Sequence, residues 1–329
     1  MTATRILATF RTDPGERELL HETFDDEATE VRFLEDAGEA ERGDWVRAAD
    51  VVIAFNFPRE IRDEEVPLMA NARFLQLASA GASHVPYDRL PESIVVASNV
   101  GAYAEPMAEH TMAMALSLAK RLHINHDRLK QGDFNQRDLN VSLRGGVCGI
   151  LGFGGIGRET ARLMRGLDMA IHAVNRRGAT DEPVEFIGTL DEIEHVLSAS
   201  DVVVLSLPLT VETEGLIGER ELGWMKDDAI LINVARGAIV DEHALYEHLR
   251  THPEFMAGID TWWTEPRSHG EFRTETPMLE LPNILGSPHN SPFVPGFLLD
   301  ALRHAVENVQ RFLDGSSVRG RVRREDYLS

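Results

Sequence analysis

The chain has 329 residues, 43% of them hydrophobic and 26% charged, which suits a folded protein with room for two domains and excludes a disordered one. Its 54 acidic against 33 basic residues give a formal charge of −21, which argues against binding nucleic acid through a broad basic surface. A single cysteine, Cys148, excludes an internal disulfide and a cysteine-based zinc site, and no metal site is expected.

The first segment, "MTATRILATF", lacks a basic stretch followed by an apolar core and a cleavage site, so no signal peptide is read there. Apolar stretches such as Met112 to Ala119 are too short to span a membrane, and a cytoplasmic location is expected. Over the first hundred residues, "TRILATF", "EVRFLE", "DVVIAFNF", "RFLQLAS" and "SIVVASN" read as strands separated by polar, helix-compatible stretches. That is an α/β pattern with a largely parallel sheet. A long helix is expected from Glu105 to about Lys130, with Met107, His110, Met114, Leu118 and Leu122 on one face.

A second alternating region opens with "GGVCGILGFGGIGRETARLMRGL", a strand, a glycine turn and a helix. Further strands are expected at 170–174, 201–206, 229–233, 256–260 and 283–286, and a last helix at about 297–314. Regular alternation here implies a doubly wound sheet of six or seven strands. Within it, Gly152, Phe153, Gly154, Gly155, Ile156 and Gly157 form a G-x-G-x-x-G turn. The first glycine permits the tight turn, the second lets a pyrophosphate approach the backbone, and the third lets helix and strand pack closely. The helix N-terminus then supplies free amides and a favourable dipole.

In such a unit an acid about 20 positions on usually bonds the adenosine ribose of NAD. Here the strand "MAIHAV" ends in Asn175, followed by Arg176 and Arg177. Asn removes the repulsion that a carboxylate would exert on a 2′-phosphate, and a guanidinium pairs bidentately with phosphate oxygens. NADP(H) is therefore the expected cofactor, with NAD(H) possible.

Three polar signatures follow later strands: "ILINVARGAIVDE", "AGIDTWWTEP" and "NILGSPHNS". Residues just past strand C-termini line the ligand crevice of such a sheet, so Arg236, Glu265 and His289 are candidates to converge. Reducing a 2-keto acid needs a cation for the carboxylate and carbonyl, a proton donor, and a group that keeps the donor protonated. Arg236, His289 and Glu265 fit these roles in that order.

The sequence resembles the D-isomer-specific 2-hydroxyacid dehydrogenase family over essentially its whole length. The matching pieces are "LQLASAGASHVP", "SNVGAYAEPMAEHTMAMAL", "LGFGGIGRETA", "LSLPLTVETEGLIG", "LINVARGAIVDEHAL", "GIDTWWTEP" and "LPNILGSPH". The resemblance implies a catalytic set of Arg236, Glu265 and His289. It further implies that Asp260 lies near the nicotinamide, that Leu207, Pro208 and Ala235 border the cofactor, and that the backbone at Ala80 and Gly81 receives the substrate carboxylate. The implied fold is two doubly wound parallel-sheet domains with a cleft between them. One is a flavodoxin-like substrate domain, 1–103 plus 295–329; the other is a Rossmann cofactor domain, 104–294. Hinge closure of the cleft and a homodimer packed through the 105–130 helix are also implied.

Some positions depart from the family pattern. Asn175-Arg176-Arg177 replaces the acidic NAD signature, as in members resembling glyoxylate/hydroxypyruvate reductases. Glu265 stands where formate dehydrogenases of the superfamily carry Gln, which argues against formate. Ser83 and Asn290 also depart, which bears on substrate size. At least one of Trp262 and Trp263 is expected to pack rather than line the site. The expected activity is transfer of hydride between NADP(H) and a small 2-keto or 2-hydroxy acid. The alternatives are an NAD-preferring member of the family and a nucleotide-sensing corepressor-like protein without turnover.

Lys120, Lys130 and Lys226 are the only lysines; all other cations are arginine. Excess carboxylates keep a protein soluble where charge is heavily screened, and arginine is the less strongly hydrated cation. A halophilic, salt-accumulating source is expected.

Overall fold

The computed structural model describes residues 3–328. The chain divides into two compact units, the residues up to Tyr103 with those from Val294 onward, and Ala104–Phe293. The first unit begins with β1 (Thr4–Ala8), α1 (Pro14–Phe24), β2 (Thr29–Phe33), α2 (Arg42–Ala48), β3 (Val51–Ala54), α3 (Phe57–Glu60), β4 (Phe74–Leu77) and β5 (Val95–Ala97). These strands pair in parallel in the order β2-β1-β3-β4-β5, the flavodoxin-like order. All five strands expected in this region form. β3 and β4 are buried along their whole length, as strands covered on both faces must be. Local chemistry starts α1: Asp13 and Glu16 form a reciprocal capping box, with Pro14 in the first turn.

The second unit contains α4 (Ala104–Ala119), α5 (Leu122–Lys130), β6 (Val147–Leu151), α6 (Gly155–Arg165), β7 (Ala170–Val174), β8 (Phe186–Gly188) and α7 (Ile193–Ala199). It continues with β9 (Val202–Leu205), α8 (Glu219–Leu222), β10 (Ile230–Asn233), α9 (Glu242–Thr251), β11 (Met256–Ile259), α10 (Pro266–His269) and β12 (Ile284–Gly286). Its seven strands are all parallel, in the order β12-β11-β10-β9-β6-β7-β8. The order reverses between β6 and β9, which is the topological switch point of a Rossmann sheet. β8 is a three-residue edge strand and was not among the expected ones.

The chain then returns to the first unit with α11 (Phe297–Leu313), whose Leu302, Val306 and Val309 pack with Leu20 and Phe24 of α1 on one face of the five-stranded sheet. Val46, Val66 and Met69 cover the other face. Asn308 of α11 donates to the buried Gln76 side chain of β4 at 2.6 Å, so this polar pair costs no unsatisfied group.

One expectation fails. The single helix from Glu105 to Lys130 is two helices, broken at Arg121, which lies in the left-handed region at φ 49°. The returning chain explains the break. The Val141 amide donates to the Ala119 carbonyl at 2.9 Å, taking the acceptor that a continuing helix would offer to residue 123. Met107, Met114 and Leu118 are buried as expected, whereas Leu122, beyond the break, is 58% exposed. Among the described residues no helix is long and apolar enough to cross a membrane.

Candidate active site

The glycine turn joins β6 to α6 at the switch point. Gly152 has φ +99°, and a Cβ there would lie 2.5 Å from the Leu207 amide nitrogen, so only glycine permits this turn. A Cβ on Gly157 would lie 2.3 Å from the Gly152 carbonyl oxygen, so the third glycine lets α6 seat against the strand. Gly154 differs: it is exposed, and a Cβ there would meet nothing within 4 Å. An open backbone position at the N-terminus of an 11-residue helix, beside first-turn amides that have no intrahelical acceptor, forms a cradle for an anion. Phe153 is buried beneath it, while Gly155 and Ile156 are half-buried in the first turn of α6.

Asn175 closes the turn after β7. Its Oδ1 accepts the Arg177 amide at 2.9 Å, and its Nδ2 donates to Ala179 O at 2.9 Å. The Asn175 side chain is thus spent on shaping the turn, and Arg176 and Arg177 stand exposed on it.

Arg236, Glu265 and His289 come together in the second unit. They follow β10, β11 and β12, three neighbouring strands, at their C-terminal ends. Gly237 sets the spacing between the first two loops: a Cβ there would lie 2.4 Å from the Trp262 carbonyl carbon. Asn233 reinforces the first loop, accepting the Ala235 amide at 3.0 Å and donating to Arg236 O at 2.9 Å. His289 Nδ1 is 2.8 Å from Glu265 Oε2 and 3.0 Å from Oε1. Glu265 Oε1 also accepts the Trp262 amide at 2.7 Å. Burial alone would push the Glu265 carboxyl up; the His289 hydrogen bond and charge, the Trp262 amide and the Arg236 charge outweigh it and hold it low.

Asp260, directly after β11, is fully buried and accepts hydrogen bonds from the Asn290 amide at 3.2 Å and the Ser291 amide at 3.3 Å. Beside it the Ser291 hydroxyl is buried without a hydrogen-bond partner. Leu207 and Ala235 are buried and Pro208 is exposed. Both tryptophans pack: Trp262 Nε1 donates to Ser287 O at 2.8 Å and Trp263 Nε1 to Val240 O at 2.6 Å. Ala80 and Gly81 belong to the first unit, in the loop after β4. There Tyr103 and Asn99 hold the Ala78 carbonyl, and Ser79 Oγ donates to Gly81 O at 3.0 Å.

Chemically, the second unit offers a candidate anion cradle at one half of the sheet and a carboxylate–imidazole pair near a guanidinium at the other. Signals that spacing alone does not carry are Gly237, whose role is steric, and Ser287, which lies two residues before His289.

Residues 112–291 match the family model "D-isomer specific 2-hydroxyacid dehydrogenase, NAD binding domain". A D-3-phosphoglycerate dehydrogenase of Archaeoglobus fulgidus is 30% identical over 79% of this chain, but the match spans only 49% of that protein. A hydroxypyruvate reductase of Thermotoga maritima is 32% identical over 67% of this chain and 70% of its own length. Among solved structures, a D-lactate dehydrogenase of Aquifex aeolicus complexed with NAD and lactic acid is 25% identical, with a TM-score of 0.72 over 95% of this chain and 96% of that one. The chain belongs to the D-isomer specific 2-hydroxyacid dehydrogenase family.

Proposed function

We propose that this protein is a D-2-hydroxyacid dehydrogenase acting as a reductase of a small 2-keto acid, with NADPH preferred over NADH. The observation that carries the reading is the His289–Glu265 pair beside Arg236, at the ends of three adjacent strands. In this reading Arg236 binds the substrate's carboxylate and polarises its carbonyl. His289 gives a proton from Nε2 to the carbonyl oxygen as it becomes a hydroxyl, and Glu265 stabilises the charged imidazole through Nδ1.

The cradle fits a dinucleotide. Gly152 to Gly157 would hold the pyrophosphate, Leu207, Pro208 and Ala235 would flank the ring system, and Asp260 with Ser291 would meet the nicotinamide end. When bound, a reduced nicotinamide supplies the hydride. Arg176 and Arg177, exposed on a turn where Asn175 stands in place of an acid, support a 2′-phosphate at the adenosine end. The Thermotoga maritima relative, named a hydroxypyruvate reductase, supports a substrate of that size.

The expected homodimer is better carried by α5 and the segment after it than by α4. Met107, Met114 and Leu118 of α4 are used in the unit's own core, whereas α5 buries no residue and Leu122, Leu129, Phe134 and Leu139 are 53–85% exposed. The charge of −21 with three lysines supports a salt-rich cytoplasm as the working environment.

The test is steady-state reduction of glyoxylate, hydroxypyruvate and pyruvate in molar salt, each with NADPH and NADH, with chiral analysis of the product. Formation of a D-hydroxyacid, faster with NADPH, is expected. No turnover with any acid would overturn the reading.

A further inference from the structure

We propose that His110 and Ser287 are positioning residues for His289, acting through the buried carboxylate of Asp260; the inference rests on the reading of His289 as the proton donor. His289 has φ +51°, a backbone conformation that residues with a side chain rarely adopt. Such a conformation persists only where its surroundings over-determine it. Here the surroundings are Asp260. Its Oδ1 accepts the Ser287 hydroxyl at 2.6 Å and the Asn290 amide at 3.2 Å, and its Oδ2 accepts the Ser291 amide at 3.3 Å. One carboxylate therefore grips the chain two residues before His289, one after it and two after it. The same loop is tied at its start, where the Ser287 amide donates to Ile259 O at 2.9 Å and its carbonyl accepts Trp262 Nε1 at 2.8 Å.

The hydrogen-bond chain has one direction. Ser287 Oγ donates to Asp260 Oδ1, so its single hydroxyl hydrogen is used there. His110 Nε2, on α4, lies 2.9 Å from that same hydroxyl oxygen and 3.7 Å from Asp260 Oδ1. With the serine hydrogen already spent, His110 must be the donor, and its Nε2 must carry a hydrogen. The order is His110 Nε2–H to Ser287 O–H to Asp260, with the His289 loop hung on the last member. His110 shares a helix face with the core residues Met107 and Met114, which is why it reads in sequence as one more packed residue. Its donor nitrogen aims at the loop instead. A carboxylate at zero exposure is costly unless fully bonded, and His110 fixes the Ser287 hydroxyl that is one of its donors; without His110 that hydroxyl is free to turn away, and the histidine loop loses one of its ties.

The experiment compares His110→Leu with His110→Gln, because the glutamine amide can place an N–H near the position of Nε2. With a 2-keto acid and NADPH, H110L should lower kcat roughly 10- to 100-fold through misplacement of the proton donor. NADPH affinity, read by quenching of tryptophan fluorescence, should change little, and H110Q should restore most of the turnover. A kcat for H110L equal to that of the wild type, or an H110Q as impaired as H110L, would overturn the proposal. Nitrogen-15 NMR of labelled histidines gives a readout that needs no turnover: the resonance lost in H110Q should be the Nε2–H tautomer. An Nδ1–H tautomer would overturn the proposal by itself. Failure of the wild type to reduce any keto acid would instead sink the reading of His289 as the acid.

Discussion

Both carboxylate oxygens of Glu265 face the same nitrogen, Nδ1 of His289, at 3.0 and 2.8 Å. A carboxylate bonds only to a donor, so Nδ1 carries a hydrogen and Nε2 is, in the proposed reading, the nitrogen that serves the substrate. Glu265→Gln should lower kcat roughly 10²- to 10⁴-fold, the range for losing an acid–base group or its orienting partner. The sign of the pH effect follows from the lowered Glu265 carboxyl. The stabilisation by the ionised carboxylate is complete above the ordinary glutamate range and is lost as pH falls through the lowered folded value. Chemical unfolding at neutral and at acid pH should show the stability gap between wild type and E265Q narrowing in acid.

The glycines of the cradle should separate by experiment. Gly154→Ala meets open space and should leave thermal stability unchanged while weakening binding of either nicotinamide dinucleotide. Gly157→Ala drives a Cβ toward the Gly152 carbonyl and should cost about 1–3 kcal/mol of stability as well as binding. Melting curves with and without cofactor distinguish the two.

Replacing Arg176 and Arg177 together by alanine should raise the Michaelis constant for NADPH roughly 10- to 100-fold, the loss of a charge-assisted hydrogen bond. The constant for NADH should barely move. Equal effects on the two cofactors would show that the arginines serve the surface alone.

Substituting Phe134 and Leu139 by serine should shift sedimentation from dimer to monomer. Both side chains are more than 70% exposed within the described fold, so stability of the protomer should be retained.

Melting temperature should rise with potassium chloride. The net charge of −21 repels itself at low ionic strength, and salt near 1 M shortens the screening length to about 3 Å. A melting temperature independent of salt would remove the halophilic reading.

The β-strands were legible because most are short apolar runs buried on both faces, as in "VVIA", "VVVL" and "ILIN". β8 was not, since three residues at a sheet edge carry too little pattern. The break at Arg121 was also hidden. No glycine or proline marks it, apolar periodicity runs on to Leu122, and its cause is the chain returning at Val141, some twenty residues later. Arg236, Glu265 and His289 stood out because strand ends expose polar residues after apolar runs. His110 did not, because helical periodicity assigns it a face but not the direction of its ring nitrogen.

In the seven-stranded sheet, β9 lies between the glycine cradle on β6 with its arginine turn on β7 and the reactive groups after β10, β11 and β12. In the proposed reading, choice of coenzyme and choice of chemistry occupy opposite wings of one sheet. A lineage could exchange one coenzyme pool for another by rewriting the five-residue turn "NRRGA" (Asn175 to Ala179) while the proton-handling wing stays as it is.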